Sequence, residues 1–210
     1  PAMVYISNPT ELGTVYTLEE LETLSAYCRE KGLFLFLDGA RLAMALAVKE
    51  AGITLPDLGR LTDAFYIGGT KVGALFGEAL VLLNDSLKKD FRFNIKQHGA
   101  LTAKGWLLGV QFQTLLEDGL YFELGRHANE MMAPIREAFQ SAGYSFDADS
   151  PTNQLFPILP DDLVKKIQSK YKITIWRKVD KTHTGIRLVT SWATKKEDID
   201  TFLEDLKAWV

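Results

Sequence analysis

The sequence has a single cysteine, Cys28, and only three histidines among 210 residues. One cysteine excludes a disulfide framework, and without a metal-ligand spacing we expect no metal site. No run reaches the roughly 20 apolar residues of a membrane-spanning helix, and the first residues do not show the basic-then-apolar pattern of a signal peptide. Acidic and basic residues number 27 and 24, so the formal charge is −3, without the basic excess of nucleic-acid binders. We therefore expect a cytoplasmic protein with no nucleic-acid or membrane partner.

What is present is ordinary globular composition, with 47% hydrophobic and 24% charged residues. Thr17-Leu18-Glu19-Glu20 matches a capping box and predicts the start of a helix that ends near Gly32. The continuous apolar run Leu33–Leu37 is typical of a parallel strand buried on both faces. A second helix is predicted over Arg41–Ala51. Strands that alternate with helices in this way predict an α/β fold with a mostly parallel, doubly wound sheet.

The second half of the sequence has a different pattern. Leu101–Leu116 and Tyr121–Ser141 favour helices, and short strand patterns then alternate with helical segments at Asp161–Lys170 and Lys195–Trp209. This pattern predicts a smaller C-terminal α+β domain, and we place the two domains at residues 1–128 and 129–210. Because a strand pattern occupies the very start of the chain, at Val4–Ile6, we expect that an N-terminal portion of the fold is missing.

Two polar clusters directly follow predicted strands. Asp38-Gly39-Ala40-Arg41 follows the run Leu33–Leu37, and Gly68-Gly69-Thr70-Lys71 follows Phe65-Tyr66-Ile67. Ligands of open α/β sheets bind just beyond the carboxyl ends of the strands. A desolvated lysine forms a Schiff base with a carbonyl, and an aspartate can keep the ring nitrogen of pyridoxal phosphate protonated.

Each cluster taken alone has a plainer explanation. An aspartate after a strand is commonly a helix cap, and a lysine in a glycine-rich loop is commonly solvated. The loop does not match a nucleotide-binding P-loop, since Thr70 precedes Lys71 instead of following it. The two clusters together carry more weight than either one.

Four segments resemble the threonine aldolase family, whose members are pyridoxal-phosphate enzymes of the aspartate aminotransferase fold and include aromatic amino acid β-eliminating lyases. The segments are Asp38-Gly39-Ala40-Arg41-Leu42, Gly68-Gly69-Thr70-Lys71, Lys96-Gln97-His98-Gly99-Ala100 and Arg187-Leu188-Val189-Thr190-Ser191-Trp192. The resemblance covers nearly the whole chain but only the later part of the family. The family's phosphate-binding loop and two active-site histidines have no counterpart, and His98, His127 and His183 do not occupy those positions.

The resemblance implies a role for each of seven residues. Lys71 would be the catalytic residue that carries pyridoxal 5′-phosphate as an internal aldimine, and Asp38 would pair with the pyridine nitrogen. Arg187, assisted by Arg41, would bind the substrate carboxylate through a bidentate guanidinium. Weaker matches assign three more residues to cofactor binding, two of them near a dimer interface: Thr70, Lys96 and Lys104.

The implied function is a lyase that cleaves a threonine-like β-hydroxy-α-amino acid to glycine and an aldehyde. The reaction would be a retro-aldol cleavage through an external aldimine. The resemblance also implies a homodimer or homotetramer with its active sites at the dimer interface. Three alternatives stay open: a β-eliminating lyase acting on an aromatic or other amino acid, an inactive fragment of such an enzyme, and a Schiff-base aldolase that uses no cofactor.

Overall fold

The N-terminal half is built on a four-stranded sheet in a computed structural model that describes Pro1–Val210. The strands lie in the order β1 (Met3–Ser7), β2 (Phe34–Asp38), β3 (Ala64–Gly68) and β4 (Glu78–Leu82). The first three are parallel, and β4 runs antiparallel to β3. A strand can run parallel to its neighbour only after a long crossover, which usually contains a helix. The link between β3 and β4 has only residues 69–77 and no helix, so β4 runs antiparallel. The predicted α/β fold with a mostly parallel sheet is confirmed.

The helices that connect these strands follow the sequence signals only in part. Helix α1 (Leu18–Glu30) begins with the predicted capping box. The helix expected over Arg41–Ala51 is instead a short α2 (Leu42–Leu46) and a 3₁₀ turn, because Val48 is extended between them. Helix α3 (Leu55–Leu61), which our sequence analysis did not predict, also begins with a capping box.

The helices cover one face of this sheet. Leu35 and Leu37 of β2 share a hydrophobic core with Leu21 of α1 and Leu58 of α3. Because side chains alternate along a strand, their neighbours point to the opposite face. That opposite face carries aromatic and aliphatic side chains that are half-buried or exposed, namely Tyr5, Phe36, Tyr66 and Leu80.

Three helices lead from the first sheet to the second: α4 (Phe91–Gln97), α5 (Trp106–Leu116) and α6 (Leu120–Ser141). The helix expected from Leu101 therefore begins only at Trp106. Helix α6 packs closely on α2, since a Cβ on Gly125 would lie 2.3 Å from the carbonyl oxygen of Ala43. Ala128 belongs to the first hydrophobic core, whereas Met132, one turn later, belongs to a second core. The limits of the two domains stay a prediction.

The second sheet is antiparallel and is organised around β9 (His183–Val189). Strands β6 (Gln154–Leu155), β7 (Pro157–Pro160) and β8 (Thr174–Lys178) pair with β9, and β5 (Ser145–Phe146) pairs with β7. Helices α7 (Asp161–Lys170) and α8 (Lys196–Trp209) complete this α+β unit. Among all the helices, none combines the length and apolar character needed to cross a bilayer.

Glycines let the loops after β2 and β3 approach each other directly. The amide of Gly68 donates a hydrogen bond of 2.9 Å to the carbonyl oxygen of Gly39. A Cβ on Gly39 would lie 2.0 Å from the carbonyl oxygen of Tyr66, and one on Gly68 would lie 2.5 Å from that of Ala40. Backbone atoms occupy the space on both sides, so a larger residue forces the two strand ends apart.

We expect Gly68→Ala to lower the free energy of unfolding by about 1–3 kcal/mol, the usual cost of overpacking a tight contact. Chemical denaturation of both forms measures the difference. Gly109→Ala is the matched control, because nothing lies within 4 Å of its added Cβ in α5. Alanine in a helix interior is favoured over glycine by about 0.5–1 kcal/mol, so this variant should be as stable as the parent or more so. Equal stability of Gly68→Ala and the parent would contradict the close approach.

Candidate active site

The site lies at the carboxyl edge of the parallel strands. Strands β1, β2 and β3 all end at this edge, so the loops that follow them are neighbours. These loops contribute Glu11, Arg41 and Lys71, and Asp38 is the last residue of β2. Arg187 comes from β9 of the second sheet and reaches the same group, where it pairs with Glu11. The structure thus brings together Asp38, Lys71, Arg41 and Arg187, residues separated by up to 149 positions (187 − 38) in the sequence.

Asp38 is held by two hydrogen-bond donors and lies beside a third polar group. Its carboxylate accepts bonds from the hydroxyl of Tyr5 and from the amide of Ala40 at 2.9 Å, and the hydroxyl of Tyr66 lies close enough to help lower its pKa. Burial by itself would raise the pKa of Asp38, but these bonds and the charge of Lys71 hold it below its ordinary value. Asp38 is therefore a carboxylate that stays ionised at neutral pH.

The two tyrosines beside Asp38 are themselves ordered by ring packing. Tyr5 stacks on Phe36 with ring centroids 5.5 Å apart, and Phe36 contacts the ring of Tyr66 at 5.7 Å. Hydrogen bonding to the carboxylate raises the pKa of Tyr5, and burial together with the same carboxylate raises that of Tyr66. Both phenols therefore remain protonated and act as donors.

Lys71 lies in the glycine-rich loop after β3. Partial desolvation, reinforced by the positive charge of Arg41, lowers the pKa of Lys71 from its ordinary value. Asp38, Glu11 and Glu78 oppose this shift without cancelling it. Lowering the pKa increases the fraction of neutral amine, which is the nucleophilic form of lysine.

The two arginines converge on one carboxylate. Nη1 of Arg41 lies 3.5 Å from one oxygen of Glu11, and Nη1 of Arg187 lies 3.7 Å from the other. Nη2 of Arg187 donates a hydrogen bond of 2.6 Å to the side-chain oxygen of Gln154, which is fully buried. The Nε group of Arg187 is buried and has no hydrogen-bond partner. A buried, unused donor beside a second guanidinium is suited to receive an anionic group.

The three weaker sequence candidates are all exposed. Thr70 is exposed next to Lys71, Lys96 is exposed in α4, and Lys104 is exposed just before α5. Lys96 and Lys104 form no side-chain hydrogen bond or ion pair with Asp38 or Lys71, and their assignment to the cofactor stays a prediction. The histidines do not gather into a metal centre either, since the chain has no group of three or more metal-ligating side chains.

Several residues of the site were not among the candidates found from the sequence. Tyr5 and Tyr66 could have been found from strand alternation, which places both on the same face as Asp38. Glu78 follows the glycine loop, and burial raises its pKa while Lys71 and the amide of Gly69 oppose the shift. Glu11 and Gln154 carried no signal, because only the tertiary fold brings their loops to the arginines.

Comparison with known proteins identifies the family of this chain. The sequence model of the beta-eliminating lyase family matches residues 1–162. A low-specificity L-threonine aldolase of Pseudomonas sp. (strain NCIMB 10558) is 32% identical over 99% of this chain and 60% of its own length. The solved structure of a threonine aldolase from Leishmania major is 50% identical, with a TM-score of 0.97 over 99% of this chain and 61% of that chain.

More distant structures share only the fold. Serine palmitoyltransferase of Sphingomonas wittichii, 14% identical, superposes with a TM-score of 0.69 over 100% of this chain and 55% of its own. The chain spans about 60% of the length of the relatives it matches. The resemblance predicted from four sequence segments is confirmed. The chain belongs to the beta-eliminating lyase family.

Proposed function

We propose that this chain is the later part of a pyridoxal-phosphate-dependent lyase that cleaves a threonine-like β-hydroxy-α-amino acid to glycine and an aldehyde. The observation that carries the proposal is the placement of the Asp38 carboxylate and the Lys71 amine at the ends of neighbouring strands, beside the Arg41–Arg187 pair. Two relatives similar along nearly the whole chain are named threonine aldolases, which supports the same activity.

The chemistry of the donor set fits pyridoxal phosphate. Lys71 would hold the aldehyde carbon through its amine, whose pKa is lowered, and Asp38 would hold the pyridine nitrogen through its ionised carboxylate. Tyr5 and Tyr66 keep that carboxylate charged and correctly directed. If Asp38 served only as the counter-ion of Lys71, the two phenols and the backbone amide around its carboxylate would have no purpose.

When bound, pyridoxal phosphate supplies the electron sink that lets the Cα–Cβ bond of an amino acid break. The residues of this chain select and orient the substrate. Arg187 and Arg41 bind its α-carboxylate, and Gln154 fixes the guanidinium plane of Arg187 through the bond to Nη2. Asp38 would stabilise positive charge on the ring nitrogen, and Lys71, whose pKa is lowered, would act as a base that accepts and returns a proton.

Several features of the whole protein belong to the same proposal. Exposed apolar side chains on α5 and in the loop between β3 and β4, including Trp106 and Leu75, support a homodimer or homotetramer with active sites at the interface. Thr70, Lys96 and Lys104 would then contact the cofactor, the two lysines from a neighbouring subunit. The two hydrophobic cores support domains at 1–128 and 129–210. The proposed location is the cytoplasm.

Lys71→Ala should abolish the visible absorbance of bound pyridoxal phosphate, because no other amine lies beside Asp38. Borohydride reduction followed by intact-mass analysis should find a pyridoxyl adduct on the parent protein and none on the variant. Lys89→Ala, which removes an exposed lysine outside the site, is the control and should keep the adduct. An adduct on Lys71→Ala would remove Lys71 from its proposed role.

The attachment of pyridoxal phosphate should also depend on pH in a defined direction. Only the neutral amine reacts, and the pKa of Lys71 is lowered, so the rate should reach its half-maximum below the ordinary lysine value. Arg41→Gln removes a neighbouring positive charge and should move this midpoint to higher pH. Stopped-flow absorbance at a series of pH values measures both midpoints. A midpoint for Arg41→Gln at or below that of the parent would contradict the assignment.

Arg187→Ala should raise KM and lower kcat/KM for threonine by the equivalent of about 2–4 kcal/mol, since a charge-assisted pair is lost. Steady-state assays of acetaldehyde and glycine measure the effect. Arg126→Ala removes an exposed arginine that pairs only with Glu130 and is the control. Unchanged kinetics of Arg187→Ala would exclude it from the site, and 2-oxobutanoate with ammonia as products would indicate β-elimination instead.

A further inference from the structure

Glu11 has no role in the chemistry described so far, yet it lies between the two substrate-binding arginines. Its carboxylate bridges Nη1 of Arg41 and Nη1 of Arg187 at 3.5 and 3.7 Å. These separations exceed the 2.7–3.2 Å of an N–H···O hydrogen bond, so the attraction is between charges and not between a donor and an acceptor. The side chain of Glu11 is 61% exposed, while those of Arg41 and Arg187 are 12% and 23% exposed.

The loop that carries Glu11 is firmly anchored through its backbone. The carbonyl oxygen of Gly13 accepts bonds from the hydroxyls of Ser150 at 3.2 Å and Thr152 at 3.1 Å. Nε2 of Gln154 donates a bond of 3.3 Å to the carbonyl oxygen of Glu11 itself. A larger residue does not fit at Gly13, since a Cβ would lie 2.3 Å from the hydroxyl oxygen of Ser150. The backbone of Glu11 is therefore fixed, and its exposed side chain is the part free to move.

The guanidinium groups of the two arginines have N–H donors that do not contact Glu11. Nε of Arg187 is buried without a partner, and Nη2 is bound to Gln154. A ligand carboxylate that formed true hydrogen bonds to these guanidinium groups would be held better than Glu11 is, because charge-assisted bonds at about 2.8 Å are considerably stronger than contacts at longer range. The ligand carboxylate and the Glu11 carboxylate are both negatively charged and would bind the same two arginines. They would therefore repel each other if both were bound at once.

We propose that Glu11 is an internal carboxylate that neutralises Arg41 and Arg187 before substrate binds and competes with the substrate carboxylate for them. This inference rests on the proposed function, in which the arginine pair binds the substrate carboxylate. Glu11 thereby sets the affinity of the site for monocarboxylates. Binding requires its side chain to rotate towards solvent while the loop backbone stays in place.

Removing the charge of Glu11 should tighten the binding of a carboxylate ligand. The probe is 3-hydroxybutyrate, which has the carboxylate and β-hydroxyl of threonine but lacks the amine that reacts with the cofactor. For Glu11→Gln, titration calorimetry of the full-length holoprotein should give a dissociation constant about 3- to 10-fold lower, the size expected from losing two partly exposed ion pairs. Glu11→Ala should shift the constant in the same direction.

Glu19→Gln is the matched control, since Glu19 is an exposed glutamate at the start of α1 with no ion pair. It should leave the dissociation constant of 3-hydroxybutyrate unchanged. The difference between the parent and Glu11→Gln should also shrink at high salt, because the charges of Glu11 are screened by solvent ions. An unchanged or weaker affinity of Glu11→Gln would overturn the inference and make Glu11 a residue that positions the arginines.

Arg187→Ala separates this inference from the proposed function. If Arg187→Ala does not weaken the binding of 3-hydroxybutyrate, the arginine pair is not the carboxylate site and the proposed function fails at this point. If Arg187→Ala weakens binding while Glu11→Gln does not tighten it, the carboxylate site stands and only the competition by Glu11 is wrong.

Discussion

The direct contact between the ends of β2 and β3 is the constraint on which the rest of the site depends. Gly39 and Gly68 have no side chains, so the backbones that follow the two strands meet through a hydrogen bond of 2.9 Å. This contact places Asp38, at the end of β2, beside the loop that carries Lys71. An amine and a carboxylate supplied by separate strands can then face a common ligand without needing to be close in the sequence.

Electrostatics within the site follow from this placement. Lys71, Arg41 and Arg187 bring positive charges into a small region, and Asp38, Glu11 and Glu78 balance them. Each group nevertheless responds to its own neighbours. Arg41 helps to lower the pKa of Lys71, while two phenols and an amide keep Asp38 ionised. Similar charges arranged at random on the surface would be solvated and would perturb one another little.

The second sheet contributes Arg187 and Gln154 to the site. Helix α6 passes from one hydrophobic core to the other, and its close packing on α2 at Gly125 fixes how the two sheets face each other. Arg187 and Gln154, on β9 and β6, reach the carboxyl edge of the first sheet as a result. Because the contact of α6 with α2 includes backbone atoms, a small shift there would move Arg187 relative to Lys71.

Much of this could be predicted from the sequence, because local patterns carried it. The capping box at Thr17 and the apolar run before Asp38 predicted their elements correctly, and parallel strands necessarily end at one edge, which brought Asp38 and Lys71 together. The direction of β4 and the break at Val48 were not predicted, because packing and link length decide them and no local pattern records either.

The sequence by itself determined the residue types of the site and their positions at strand ends, since turn glycines and periodic apolar residues act over a few neighbouring positions. Only the tertiary structure decided that Glu11 bridges Arg41 and Arg187, and that the hydroxyls of Tyr5 and Tyr66 lie beside Asp38. Those contacts join residues far apart in the chain. Their distances depend on how whole strands, loops and sheets pack, which no short segment specifies.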